Sequence, residues 1–188
     1  MILMKFLIAG LGNTGAEYEL TRHNIGFLVL DMLAEKQKTD FELTRYAHKA
    51  SFKYKGRHIY MIKPTTLMNL SGKAVNYWLK ELKLKKKNLL VVTDDIALPF
   101  GKLRTRAKGS DAGHNGLRNI DLLTGDNDYA RLRFGIGNEY HNGRQVEYVL
   151  SRFNEDEFKQ LPQYIDKACE IILAFIAIGI DRTMNAYN

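Results

Sequence analysis

Short apolar runs alternate along the chain with longer segments in which apolar residues recur every three or four positions. The run KFLIA (Lys5–Ala9) ends in glycine and is typical of a short buried strand. The stretch IGFLVLDMLAEKQK that follows Asn24 has helical spacing, and Asn24 is a candidate N-cap. SFKYKGRHIYMIKP predicts two strands joined by a hairpin turn at Lys55-Gly56.

The same alternation continues toward the C-terminus. GKAVNYWLKEL predicts a helix that Ser71 can cap, and NLLVVT predicts a buried strand that ends at Asp94-Asp95. The later predicted elements are a turn at Leu98–Gly101, an extended segment at GKLRTRAKG, a helix over Asn115–Leu123, a strand over Arg131–Ile136 and a long helical region from Asn154. Strands that alternate with helices predict an α/β sheet with helices on both faces.

The glycines that follow the first strand, GLGNTG, match the pattern of a dinucleotide-binding turn. In such a turn the helix begins at once, so that its N-terminus meets the pyrophosphate. Here the polar residues 16–23 separate the glycines from the helix, and the acids near the ribose-binding spacing, Asp31 and Glu35, fall on the helix itself. The pattern therefore favours a tight strand exit. A dinucleotide-dependent oxidoreductase is the weaker alternative.

The composition predicts one globular domain. The 188 residues are 45% hydrophobic and 26% charged, which suits a single domain over residues 1–188 and, weakly, a monomer. Cys169 is the only cysteine, so a disulfide within the chain and a Cys-rich zinc site are excluded. No signal peptide is recognisable, and the longest apolar run, Ile171–Ile180, is too short to span a bilayer. We expect a cytoplasmic protein with no membrane partner.

Positive charge is in excess and is unevenly placed. The net charge of +7 favours an anionic partner, commonly nucleic acid. Four basic residues alternate through one segment: Lys102, Arg104, Arg106 and Lys108. In an extended chain they share one face, and Arg131 and Arg133 repeat the spacing. This basic ladder suits a phosphate backbone, although solvated strand faces carry similar patterns.

Candidate catalytic groups follow two of the predicted strands. His23 lies in a polar loop beyond the first strand, and Asp94 and Asp95 end another. Sites in open α/β sheets gather beyond the carboxyl ends of strands. A carboxylate that accepts a hydrogen bond from a histidine ring fixes its tautomer, and histidine with water is a general-base arrangement. The alternatives for the aspartate pair are a turn, a cap or a magnesium ligand set.

Three asparagines occupy comparable positions, at Asn13, Asn69 and Asn115. Each alone is more often a cap or turn residue, but together they offer amide groups that can hold a water and a carbonyl. No nucleophile is apparent, because a GxSxG elbow is absent and Cys169 lies in a core-like helical pattern. The five histidines lack HExxH spacing, which disfavours zinc.

Five segments occur in a recognisable order: GLGNTGAEYELTRHNIG, KPTTLMNLSGKAV, DDIALPFGKLR, GSDAGHNGL and RLRFGIG. In all five, from residue 6 to about 138, the sequence resembles the bacterial-type peptidyl-tRNA hydrolase family. The resemblance implies a single α/β domain with a mixed central sheet. It also implies cleavage of the ester that joins a peptide to the 3′ end of its tRNA, which recycles tRNA, without a metal or a cofactor.

The resemblance also assigns roles. His23 is expected to be the general base that activates water, Asp94 to orient it, and Asn13 to help discriminate blocked from free aminoacyl groups. The residues expected to contact the tRNA end or the peptide are Tyr18, Leu67, Asn69 and Asn115, with Met68 and Gly113 shaping the peptide groove. The charge pattern, more than the motifs, assigns four residues to tRNA phosphates: Lys102, Arg104, Arg106 and Arg133.

Four residues depart from the family pattern. Thr14 replaces a usual proline, which we expect to loosen the turn that carries Asn13. Leu67 replaces a common aromatic, and Ala97 replaces a second acid. Ala112 replaces a glycine and is expected to restrict its loop, because alanine disfavours positive φ. None of these removes a proposed catalytic residue. A non-catalytic RNA-binding protein of the same fold is therefore the second hypothesis.

Overall fold

Within residues 3–188, four parallel strands form the centre of a seven-stranded sheet, and antiparallel strands close both of its edges. The computed structural model describes residues 3–188, so residues 1 and 2 of the predicted domain lie outside the described part. The strands are β1 (Lys5–Gly10), β2 (Glu42–Leu43), β3 (Ala47–Tyr54), β4 (Arg57–Pro64), β5 (Leu89–Asp95), β6 (Leu103–Arg106) and β7 (Ala130–Gly135). Their order across the sheet is β2-β3-β4-β1-β5-β7-β6.

Helices cover both faces of the sheet, which confirms the predicted fold class. They are α1 (Ile25–Lys36), α2 (Ser71–Glu81), α3 (Asn115–Thr124), α4 (Gln145–Val149), α5 (Glu155–Ile178) and α6 (Ile180–Tyr187). Phe6 and Ile8 of β1 pack into the core under α1 and α5, whereas Leu7 and Ala9 pack under α2 and α3. A strand buried on both faces is a continuous apolar run, as KFLIA is.

The glycine pattern after β1 serves helix packing. A Cβ at Gly10 would lie 2.4 Å from the carbonyl oxygen of Gly26 in α1, so only glycine permits this approach of strand and helix. Two 3₁₀ turns, Ala16–Tyr18 and Arg22–Asn24, separate the glycines from α1. The pyrophosphate-binding geometry, in which the helix follows the glycines directly, is therefore not formed.

Two predicted helix caps are wrong. The Asn24 side chain does not cap α1, and Ser71 is the first residue of α2 with its hydroxyl donating to the Met68 carbonyl at 2.7 Å. Both helices continue from a 3₁₀ turn, so their first N–H groups already bond to carbonyls of that turn. The long C-terminal helix does begin as predicted, with Asn154 in a reciprocal capping box with Glu157.

The lone cysteine lies in the core, as predicted. Cys169 is buried on α5 against α1, and burial raises the pKa of its thiol to about 12. Within residues 3–188, no helix combines the length and the hydropathy that crossing a bilayer requires.

Candidate active site

A cleft lies beyond the carboxyl ends of the central strands. It has two adjoining lobes, and His23 and Asn115 line both. One lobe, which we call the asparagine lobe, also contains Asn13, Tyr18, Leu67, Met68 and Asn69. The other, which we call the aspartate lobe, also contains Asp94, Gly113 and Arg133. The structure thus brings ten of the thirteen predicted site residues together. The three others, Lys102, Arg104 and Arg106, do not line either lobe.

His23 and Asp94 form a hydrogen-bonded pair at the floor of the cleft. The 3₁₀ turn Arg22–Asn24 carries His23, and its Nδ1 lies 2.8 Å from Oδ2 of Asp94 near the end of β5. Because a carboxylate accepts, Nδ1 carries the proton and Nε2 holds the free lone pair. Within residues 3–188, Nε2 has no hydrogen-bond partner. The geometry leaves one basic nitrogen available in the cleft.

The electrostatics of the pair favour an ionised Asp94 beside a basic His23. Burial lowers the pKa of His23, but the charge and hydrogen bond of Asp94 outweigh it and raise the pKa above 6.5. Burial of Asp94 raises the pKa of its carboxyl, but His23 and His114 outweigh this and hold it far below its usual range. Asp94 is therefore a permanent anion near neutral pH.

His114 is a component of the site that the sequence did not reveal. Its Nε2 lies 2.8 Å from Oδ1 of Asp94, the oxygen that His23 does not use. Its Nδ1 caps α3 by accepting from the N–H groups of Gly116 and Leu117, at 3.1 and 3.3 Å. Nε2 must therefore carry the proton and donate to the carboxylate. The position of His114 directly before α3, in AGHNG, could have marked it as the N-cap of that helix. Histidine is not among the preferred N-cap residues, so the sequence did not indicate this role.

The same three side chains are a possible metal ligand set. One ligand atom from each of His23, Asp94 and His114 lies within 4.8 Å of the others, and zinc accepts such nitrogen and oxygen ligands. His23 Nδ1 and His114 Nε2, however, each already donate to an oxygen of Asp94. A metal bound to these two nitrogens would have to displace both hydrogen bonds and take a proton from each ring.

Asn13 is held in one orientation by its neighbours. Its backbone N–H and carbonyl bond to the side-chain amide of Asn24, at 2.8 and 2.9 Å. Its Oδ1 accepts from the backbone N–H of Met68 at 2.6 Å. Since that N–H can only donate, the Nδ2 end of the Asn13 side chain is the end left for the cleft. The Thr14 hydroxyl adds a bond to the Pro64 carbonyl at 3.3 Å.

Helix α4 forms a wall of the cleft that no sequence motif indicated. Its contribution is mainly apolar, from Val146, Val149 and the following Leu150, and Gln145 adds a polar side chain to the aspartate lobe. Arg22 ties this wall to the turn that carries His23, since its backbone N–H donates to the Ser151 carbonyl at 2.9 Å. The Arg22 guanidinium lies 4.5 Å from the centre of the Tyr148 ring and pairs with Glu157 at 2.8 Å. The residue next to His23 is thereby anchored to two other elements.

The basic ladder differs from its prediction. Strand β6 covers only Leu103–Arg106, so Arg104 and Arg106 share a strand face, whereas Lys102 and Lys108 flank it. Arg131, opposite Arg106, is fully buried, because its guanidinium stacks 4.3 Å from the centre of the Tyr129 ring and donates to the Asn127 carbonyl. It is therefore a core residue and not part of a surface ladder.

Arg133 and Asp95 are partners that both line the aspartate lobe. Arg133 lies opposite Arg104 in the sheet, donates to the Ser110 carbonyl at 3.2 Å, and lies 3.7 Å from the Asp95 carboxylate. Asp95 also accepts from the N–H of Ala97 at 2.8 Å. Asp95 thus faces Arg133 and its own turn, while Asp94 alone serves the two histidines.

The loop before His114 contains the positive φ angle that alanine at position 112 was expected to disfavour. Ala112 has φ +49°, in the left-handed region where glycine is favoured. Asp111 supports the turn by accepting from the N–H of Gly113 at 2.7 Å. Alanine therefore occupies this position at a conformational cost.

Comparison with known proteins decides the family. The family model described as peptidyl-tRNA hydrolase matches residues 7–188. The chain belongs to the peptidyl-tRNA hydrolase family. It is 52% identical over 185 residues to the peptidyl-tRNA hydrolase of Cytophaga hutchinsonii, covering 98% of each chain. It is 51% identical to that of Phocaeicola vulgatus, covering 98% of this chain and 99% of the relative.

The fold of this hydrolase family member also matches a solved relative. The crystal structure of peptidyl-tRNA hydrolase from Acinetobacter baumannii superposes with a TM-score of 0.92 at 29% identity, covering 100% of this chain and 97% of that one. The resemblance stated from the five sequence segments is confirmed. The weaker oxidoreductase hypothesis is set aside on the same grounds.

Proposed function

We propose that this chain hydrolyses the ester of peptidyl-tRNA with His23 as the general base. The ester hydrolysis is the activity of the family to which the chain belongs, and it recycles tRNA in translation. The observation that supports the role of His23 is its bond to Asp94 at 2.8 Å, which leaves Nε2 free in the cleft. Nε2 takes a proton from water as the water attacks the ester carbonyl. The imidazolium then returns this proton to the ribose oxygen as the bond from that oxygen to the carbonyl carbon breaks, so the ribose hydroxyl leaves without a covalent intermediate.

Asp94 and His114 keep the base in its reactive form. The carboxylate receives one N–H from each ring, so it fixes the orientation of both and stabilises the imidazolium that forms on His23. His114 is a positioning residue, because its proton is committed to Asp94 and its other nitrogen to the start of α3. It does not compete with His23 for the proton of the water.

Asn13 gives the site its preference for a blocked amino group. With Oδ1 bonded to Met68, its Nδ2 presents only donors to the substrate. An N-acyl or peptide carbonyl accepts such a bond. A free ammonium has no acceptor and brings a positive charge against the donor, so it is disfavoured.

The test is release of tRNA from N-blocked aminoacyl-tRNA beside the unblocked form, without added metal or nucleotide. We expect cleavage of the blocked form only. In Asn13→Asp, which has nearly the same shape but a charged acceptor, the preference should fall by at least roughly tenfold. An unchanged preference would remove Asn13 from this role. No cleavage of either form by the wild type, with RNA binding retained, would support the non-catalytic hypothesis instead.

The remaining cleft residues are proposed to hold the substrate. Asn69 and Asn115 pair with the peptide backbone or the water, Tyr18 and Leu67 contact the tRNA end, and Met68 and Gly113 shape the groove. The Leu67 side chain is half exposed at the rim, where it offers apolar contact in place of aromatic stacking. Lys102, Arg104, Arg106 and Arg133 are proposed to lie toward tRNA phosphates.

The ladder can be tested through its salt dependence. We expect Arg104→Gln with Arg106→Gln to raise KM and to reduce the slope of log(1/KM) against log[salt] by roughly 0.7–0.9 for each phosphate that the variant no longer neutralises. Lys87→Gln with Lys159→Gln removes the same charge elsewhere and is the control. If both double variants change KM equally, the ladder acts only through net charge.

We further propose that the chain is one domain over residues 1–188 and works as a monomer in the cytoplasm. Peptidyl-tRNA arises where proteins are synthesised, and the cleft described above is formed within one chain. The proposed chemistry uses water and side chains alone. Neither a metal nor a cofactor takes part in it.

A further inference from the structure

A row of basic and aromatic side chains runs along α2 and one face of the β3–β4 hairpin. We call it the basic–aromatic track and define it by six residues: Arg45, Tyr77, Trp78, Lys49, Tyr60 and His58. None of the six lines the lobes of the cleft. The hairpin lies toward the opposite edge of the sheet from β6 and β7, so the track is also separate from the basic ladder.

The half of the track nearer the cleft is built around α2. The Arg45 guanidinium lies 5.3 Å from the centre of the Tyr77 ring, and Tyr77 meets Trp78 edge to face at 5.2 Å. The Trp78 indole N–H donates to the Arg45 carbonyl at 3.0 Å, which fixes the two residues together. Tyr46 follows Arg45 in the chain, and the centre of its ring lies 5.5 Å from that of Tyr77. The backbone carbonyl of Tyr46 accepts from the backbone N–H of Thr65. The track therefore ends beside the loop that enters the cleft.

The other half continues across the hairpin. The Lys49 ammonium lies 5.0 Å from the centre of the Trp78 ring and 5.6 Å from that of Tyr60, so it bridges the two halves. Tyr60 and His58 stack with ring centroids 4.4 Å apart and planes at 23°. Alternate residues of a strand share a face, so these rings are a partly exposed aromatic platform on the outside of the sheet.

The charges of this surface are unneutralised. His58 is the register partner of both Lys5 and Lys53, and among residues 3–188 neither of these lysines, nor Lys49 or Arg45, has a carboxylate within 4.0 Å. Partial burial and the charges of Lys53, Lys5 and Lys49 lower the pKa of His58. The acid opposite Lys49 in the sheet, Glu42, is exposed and forms no ion pair with it.

We propose that the basic–aromatic track binds single-stranded RNA. Proteins that hold single strands combine a positive groove along the backbone with aromatic rings on which bases stack, and the track has both. Tyr77, Tyr60 and His58 are the partly exposed rings, whereas Trp78 is only 7% exposed and supports them from the core. Duplex RNA buries its base faces and cannot use the rings, so an unpaired segment is the occupant that fits. Binding itself does not depend on the hydrolytic mechanism. The occupant that we assign is an unpaired part of the substrate tRNA, and this assignment rests on the proposed function; a separate RNA is an outcome of the test.

Trp78 is the only tryptophan of the chain, so its fluorescence reports on the track directly. The probe is an oligouridylate of about twelve nucleotides, within the ~4–16 that one such groove covers. We expect the oligonucleotide to bind and to change Trp78 emission. Arg45→Gln with Lys49→Gln should weaken binding roughly tenfold, as should Tyr77→Leu, whereas Tyr77→Phe keeps a ring and should bind like the wild type.

The control is Lys85→Gln with Lys87→Gln, which removes two exposed charges away from the track rings. Equal weakening in the control, or no response of Trp78 to bound oligonucleotide, would overturn the proposal. Turnover of N-blocked aminoacyl-tRNA identifies the source of the RNA and controls for folding. A raised KM with unchanged kcat in the track variants assigns the track to the substrate tRNA. Unchanged KM and kcat, with weakened oligonucleotide binding, assign it to a separate RNA.

Discussion

Replacing His23 with alanine is expected to abolish practical turnover of peptidyl-tRNA while leaving the fold and the tRNA affinity close to those of the wild type. General-base catalysis contributes roughly 10²–10⁴-fold, and no other nitrogen in the described cleft is both free and basic. The loss should fall on kcat, because His23 acts on water and not on the RNA. The measurement is single-turnover release of tRNA, with tRNA binding measured separately.

A matched control is His141→Ala, which removes an exposed histidine that does not line either lobe of the cleft. It should leave kcat and KM unchanged. Turnover of His23→Ala at the wild-type rate would exclude His23 as the base. A parallel loss of tRNA affinity and of cooperative unfolding would show instead that the substitution had disrupted the structure.

Replacing Asp94 with asparagine is expected to lower kcat by roughly 10³–10⁴-fold. Asp94 accepts one N–H from each histidine through separate oxygens, and an asparagine has only one acceptor atom. Its NH₂ group must face one ring N–H or force that ring into the other tautomer. In His23 the other tautomer places a proton on Nε2, where the lone pair is needed.

Asp95→Asn is the control for this variant, because it makes the same change one residue away. Asp95 faces Arg133 and the N–H of Ala97, so its substitution should leave kcat within a fewfold of wild type. Comparable losses in kcat for the two variants would contradict the assignment of Asp94 alone to the histidines.

The sequence correctly predicts elements that depend on residues close together in the chain. The hairpin turn at Lys55-Gly56 and the buried strands β1 and β5 lie where apolar spacing and turn residues predicted them. His23 and Asp94 could be paired in advance because the carboxyl ends of parallel strands meet at one edge of a sheet. The positions of the three asparagines marked them as candidates, and the family resemblance then assigned their roles, because no single-residue argument distinguishes them from turn residues.

The sequence does not predict features that depend on contacts between residues far apart in the chain. Arg131 alternates with Arg133 as a surface residue would, yet an aromatic ring and a loop carbonyl bury it. His114 belongs to the site because α3 begins at the point where β5 ends, a relation that only the assembled fold creates. Asn24 supports Asn13, eleven positions earlier in the chain, instead of capping its own helix.

The pH dependence of kcat/KM for N-blocked aminoacyl-tRNA, compared between the wild type and Asp94→Asn, tests the central claim most directly. His23 must be neutral to accept a proton, so the wild-type rate should fall as the pH drops through an apparent pKa above 6.5 and level off at higher pH. Removing the Asp94 charge should move this fall in rate to lower pH. The rate that Asp94→Asn reaches at high pH should also be lower than that of the wild type. A wild-type rate without this fall, or an apparent pKa unmoved in Asp94→Asn, would contradict a general base formed by His23 and Asp94.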